Sequence, residues 1–83
     1  IDVEGHTDDV PMNSAMFPSN WELSSSRAAS VVKLATERGI KSKVVRAIGH
    51  ADTFPIKPNR TEDGTPIPEN MAANRRVDIV VHY

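Results

Sequence analysis

At 83 residues the chain is one small domain at most, with a thin core. It has no cysteine, which removes disulfides and thiolate metal sites and suits a reducing cytosol and a bacterial periplasm alike. Ten basic and eleven acidic side chains, a formal net charge of −1, exclude the basic face of an unspecific nucleic-acid binder.

Ile1 to Gly5 alternates apolar and acidic residues, the period of a half-buried strand. Asp9 to Ser19 carries Pro11 and Pro18 among small polar residues and reads as a loop. A helix is predicted from Ser19 or Asn20, since Ser19 and Glu22 have capping-box spacing. Leu23, Arg27, Val31, Leu34 and Ala35 recur at helical spacing, so the expected apolar face has a charge set into it. Arg38, Gly39 and Lys41 provide the stop. Lys43 to Gly49 reads as a second, mostly buried strand, and the proline-rich stretch from Ala51 to Pro68 as a long irregular connection. A short helix over Glu69 to Asn74 and an alternating strand from Arg76 to Tyr83 complete the order. The sum is an α/β (α+β) two-layer sandwich with helices on one face of the sheet. No apolar run is long enough to span a membrane and no signal peptide is visible. The abrupt opening on strand residues is that expected of a piece of a longer protein.

Asp8 and Arg27 stand where a strand end and a helix start can converge. A guanidinium grips a carboxylate through two parallel hydrogen bonds and a carboxylate accepts from an ammonium, so the pair suits a zwitterionic ligand. Backbone N–H groups at the helix start add anion-binding donors. The competing reading is a structural ion pair between the two side chains, serving the fold of a purely structural dimerisation module. A second constellation, His6, Asp8, His50 and Asp52, contains metal-capable groups at two strand ends and would suit a metal-dependent hydrolase. Asp8 and Asp9 point apart in extended chain and make a poor pair for acid–base hydrolysis. Ser24, Ser25 and Ser26 lack a nucleophile-elbow pattern and are expected on the helix surface. Trp21 is expected as a staple or rim residue. Asn59-Arg60-Thr61 matches a glycosylation sequon, a short pattern that arises by chance. Asn74 is expected to cap a turn, Arg76 to be structural, and Arg75 is left open as a second contact for an anion.

Three ordered motifs carry a resemblance: Val3-Glu4-Gly5-His6-Thr7-Asp8, then Asn20-x-x-Leu23-Ser24-x-x-Arg27-Ala28, then Asn74-Arg75-Arg76-Val77-Asp78-Ile79. Together they resemble the OmpA-like peptidoglycan-binding domain, and Phe17-Pro18-Ser19-Asn20-Trp21-Glu22-Leu23-Ser24 is similar to its MotB subgroup, the flagellar motor stator. The resemblance implies an OmpA-C-like mixed sheet and non-covalent binding of the diaminopimelate stem peptide, without catalysis or cofactor. It implies ligand contacts at Asp8 and Arg27, support from Asn20 and Leu23, and backbone donors near Val10. It further implies a periplasmic domain of a bacterial inner-membrane protein, a homodimeric parent and a MotA-type channel partner. Against the family pattern, a first strand and helix are missing, His50 replaces a common Tyr, Met71 a common Arg, and Asp63 to Pro68 looks inserted.

Overall fold

The computed structural model describes residues 1–83. Its elements are β1 (Asp2–Gly5), α1 (Asn20–Glu37), a 3-10 turn (Ser42–Val44), β2 (Arg46–Gly49), α2 (Pro68–Asn74) and β3 (Val77–Val80). β1 is central, parallel to β2 and antiparallel to β3, so the sheet is mixed with the order β2-β1-β3. A parallel neighbour requires a crossover, and α1 supplies it, packing on β1 and β2 from one side. The expected two-layer α/β architecture is the one observed.

Both ends of α1 are sealed by local chemistry. Ser19 Oγ accepts from the Trp21 N–H at 3.2 Å and also bonds the Glu22 carboxylate. At the other end Gly39 adopts φ 103°, and the N–H groups of Gly39 and Ile40 return to the carbonyls of Thr36 and Ala35, a Schellman arrangement.

The helix face that meets the sheet differs from the expected one. Leu23, Ser24 and Ala28 are buried, whereas Arg27 is exposed and Leu34 is 51% exposed. Close approach explains the rotation. A Cβ on Gly5 would fall 2.1 Å from the Ser24 carbonyl oxygen, and one on Gly49 would meet Ser25 Oγ at 2.1 Å. Two glycines on adjacent strands thus let the serine ridge of α1 sit directly on the sheet. Ser24 is not a surface serine: it is 0% exposed, donates to the Trp21 carbonyl and accepts from the Ala51 N–H. The apolar core beneath is Val3, Ala28 and Val45, with Val31, Val32 and Val77 packed against it.

The ladder of β2 starts at Arg46, later than expected, because Ser42–Val44 turn into a 3-10 helix first. β3 ends at Val80, leaving Val81 and Tyr83 exposed. Opposite α1, the sheet is polar. Asp2, only 5% exposed, accepts from Arg46 Nε and Nη2 at 2.8 and 3.0 Å and pairs with His82 Nε2 at 2.9 Å. Hydrogen bonds from Arg46 and then His82 pull its pKa down to about 2.

Within the connection from Ala51 to Pro68, residues 56–59 gather around one buried side chain. Asn74, 0% exposed, accepts from the Ile56 and Lys57 N–H groups and donates to Lys57 O and Asn59 Oδ1. The stretch 60–66 folds back on itself through an Arg60–Pro66 bridge, with Gly64 at φ 89°. Thr61 and Thr65 hydroxyls bond Asp63 and lower its pKa.

Candidate functional site

Where β1 ends, the chain must leave the sheet close to the start of α1. Thr7 fixes the exit: its N–H donates to the Ala51 carbonyl at 2.8 Å, and its hydroxyl donates to the Asp8 carbonyl at 2.7 Å. Ala51 takes a left-handed φ of 53°, uncommon for a residue with a Cβ, and is locked there by Ser24 Oγ on its N–H and Thr7 on its carbonyl. Ser24 therefore joins the helix start to the strand ends that present the site.

The result is a cleft of about 240 Å³ between the β1 exit and the first turns of α1. Thr7 and Asp8 line one side, Asn20, Leu23 and Arg27 the helix side, and Val10 to Met12 the rim. Arg75 closes the remaining side, delivered by the end of α2. The volume lies below the usual range of pockets for drug-sized ligands.

Asp8 and Arg27 face one cleft, but they are not partners. Asp8 Oδ2 accepts from Arg75 Nη1 at 2.6 Å, and Asp8 Oδ1 from the Val10 N–H at 3.1 Å. The structural pair is thus Asp8–Arg75, in place of the Asp8–Arg27 alternative. Among the salt bridges and side-chain hydrogen bonds of the fold, none involves Arg27. Its five donors point at no protein carboxylate. Asn20 Nδ2 donates to the Val10 carbonyl at 3.0 Å, tying the rim loop to α1. Leu23, 8% exposed, forms the apolar floor. Two expected donors are already engaged: the Val10 N–H by Asp8, and the Trp21 N–H by Ser19. Trp21 itself is 53% exposed and is not among the residues of the cleft.

Arg75 is the residue that sequence reasoning left open. No local spacing points to it, because its direction is set by the buried Asn74 beside it, which is fixed by residues 56–59. Arg76 is structural, as expected: it bonds Asp78 and the Phe54 carbonyl. Asp9 turns away from the cleft to Arg60 Nε at 2.8 Å, which pins the 60–66 turn to the rim loop. The hydrolase set His6, Asp8, His50 and Asp52 does not assemble. Asp8 belongs to the cleft, and the metal-capable groups within mutual reach are Glu4, His6 and His50.

The fold and the cleft define a two-layer α/β module that presents an acid and an unpaired guanidinium on facing sides of one cleft. The OmpA family profile matches residues 1–67, and the chain belongs to the OmpA family. Motility protein B of Bacillus subtilis (strain 168) is 34% identical over 82 residues, covering 98% of this chain and 29% of that protein. A crystal structure of a MotB-like protein from Desulfovibrio vulgaris superimposes with a TM-score of 0.76 at 35% identity, over 92% of this chain and 44% of that one. The cell wall anchor of the T6SS from Pseudomonas aeruginosa gives 0.71 at 37% identity, over 92% and 49%. The chain thus spans less than half the length of these relatives. No helix in it is long and apolar enough to cross a membrane.

Proposed function

We propose that this domain binds the peptidoglycan stem peptide without catalysis, holding the zwitterionic end of diaminopimelate. Arg27 takes the carboxylate through a forked contact and Asp8 takes the ammonium. The observation that carries this reading is the unpaired Arg27 guanidinium facing the Asp8 carboxylate across a cleft of about 240 Å³. Asp8 retains acceptor capacity for a ligand, because each carboxylate oxygen has two lone pairs and the protein uses one on each. Leu23 offers an apolar floor to the ligand's methylenes, and Asn20 holds the Val10 carbonyl at the rim.

The same reading places the domain in the periplasm of a bacterium, as the wall-holding part of an inner-membrane protein. A MotB-type parent would be a homodimer working with a MotA-type channel partner. Each charge-assisted bond contributes about 1–3 kcal/mol in such a half-wet site, so single-site affinity is modest. Attachment to an immense polymer makes modest affinity sufficient, since rebinding is local.

Titration with two muropeptides tests the ligand directly. One carries diaminopimelate at the third position; the other carries lysine, which has the ammonium but no carboxylate beside it. Saturable binding of the first and at least about tenfold weaker binding of the second is expected, a difference of about 1.4 kcal/mol. Equal affinity for both, or no saturation by either, contradicts the proposal.

A further inference from the structure

The cleft uses one end of β1 and leaves the sheet face opposite α1 without a role. The two-residue period of β1 sends Glu4 and His6 to that face. β3 adds Asp78, directly across from Glu4 in the ladder, and the end of β2 adds His50. His6 and His50 stack with centroids 4.9 Å apart and planes 15° from parallel. His50 Nε2 lies 2.9 Å from Glu4 Oε1, and one ligand atom from each of Glu4, His6 and His50 lies within 4.8 Å of the others.

His6 makes this more than a polar patch. It is 3% exposed, and neither of its ring nitrogens has a hydrogen-bond partner. A buried imidazole with both nitrogens unsatisfied is costly and rare. Its Nε2 sits 3.4 Å from Asp78 Oδ2. Burial, and then the Arg76 charge, lower its pKa and favour the neutral ring, the form that ligates metals.

We infer that Glu4, His6 and His50 form a site for one divalent transition-metal ion of the zinc class, with solvent water completing the coordination. Two imidazoles with a carboxylate suit zinc and disfavour calcium or magnesium, which take all-oxygen sets. Tetrahedral zinc with bonds of about 2.0–2.1 Å brings ligand atoms to about 3.3 Å apart, so the trio must contract. The His6 and His50 rings lie in nearly parallel planes, so His50, whose side chain is 22% exposed, must turn out of the stack for both rings to aim at one ion, with Glu4, 23% exposed, following it. Asp78 lies outside the trio, because both of its oxygens accept from Arg76 Nε, at 3.2 and 3.0 Å, and the Arg76 charge opposes a dication there. The ligands come from β1 and the ends of β1 and β2, so a bound ion would clip these two parallel strands of a sheet with a minimal core.

The test is zinc titration of chelator-stripped protein, read by equilibrium dialysis with elemental analysis and by melting temperature. The expected result is one equivalent per chain, a melting temperature that rises with free zinc, and no such response to magnesium. Glu4→Gln and His50→Gln, both at partly exposed positions, should fold, bind zinc at least about tenfold more weakly and lose the thermal shift. His82→Gln, which alters the remaining histidine of the chain, should keep both. Absence of saturable one-equivalent binding overturns the site, as does binding unchanged in the Glu4 and His50 variants. Asp8 and Arg27 are untouched in every variant, so failure here leaves the wall-binding reading to its own test.

Discussion

Asp8 and Arg75, 67 residues apart in the chain, meet at 2.6 Å, and their pairing leaves Arg27 on the other side of the cleft without a carboxylate of its own. A direct Asp8–Arg27 bond would have closed the site upon itself. Instead a third residue holds Asp8, and the helix guanidinium stays available.

Arg75→Ala should therefore be a mild change. The Arg75 side chain is 46% exposed and that of Asp8 12% exposed, so loss of the pair should cost about 0.5–1 kcal/mol, read from the urea midpoint. The Val10 N–H still orients the carboxylate. Sacculus binding is expected to stay within about threefold of wild type. A loss as large as that of Asp8→Ala would show that Arg75 itself grips the ligand.

Ser24→Ala should destabilise by about 1–3 kcal/mol, because the buried Ala51 N–H loses its acceptor. Gly5→Ala should be at least as damaging, since its Cβ would strike the backbone carbonyl of Ser24, which cannot rotate aside. Chemical denaturation of the two variants checks both values. A Ser24→Ala change under about 0.5 kcal/mol would mean that water or backbone relaxation replaces the serine.

Asn74→Ala removes the acceptor for two backbone N–H groups and the donor to two oxygens, all partly buried. A loss of about 2–4 kcal/mol is expected, with greater protease sensitivity across residues 55–60. Uniform sensitivity along the chain would indicate global unfolding rather than release of that loop.

Stability should fall in acid through Asp2. Its folded pKa of about 2 lies below the ordinary 3.8, so the protein gains stability from the ionised carboxylate above about pH 4. That gain is lost as pH falls from about 4 to about 2, when the proton removes the acceptor used by Arg46 and His82. Asp2→Asn should flatten this part of the urea midpoint against pH, measured in chelator. An unchanged acid limb would assign the loss to other carboxylates.

Much of the fold was legible because its signals are local. The capping box, the glycine stop and the alternation of β1 each depend on neighbours a few residues away. The helix orientation was not, because the period of Leu23, Arg27, Val31 and Leu34 competes with the contact that Gly5 and Gly49 permit. Backbone proximity won and turned Ser24 and Ala28 inward. The cleft was half legible. Asp8 and Arg27 follow from the strand exit and helix start, whereas the Arg75 contact depends on how Asn74 anchors the long connection, which no spacing reports. The His-x-Asp pattern points to Asp8 and Asp52, whereas the carboxylate beside the two histidines is Glu4, two positions before His6 on the same strand face.

The most direct measurement is binding of purified sacculi by Arg27→Ala beside wild type, with Arg27→Lys as the conservative variant. The account predicts at least about a tenfold loss for Arg27→Ala and a clear loss for Arg27→Lys, whose ammonium cannot make the forked contact. Wild-type binding by a folded Arg27→Ala protein would contradict it.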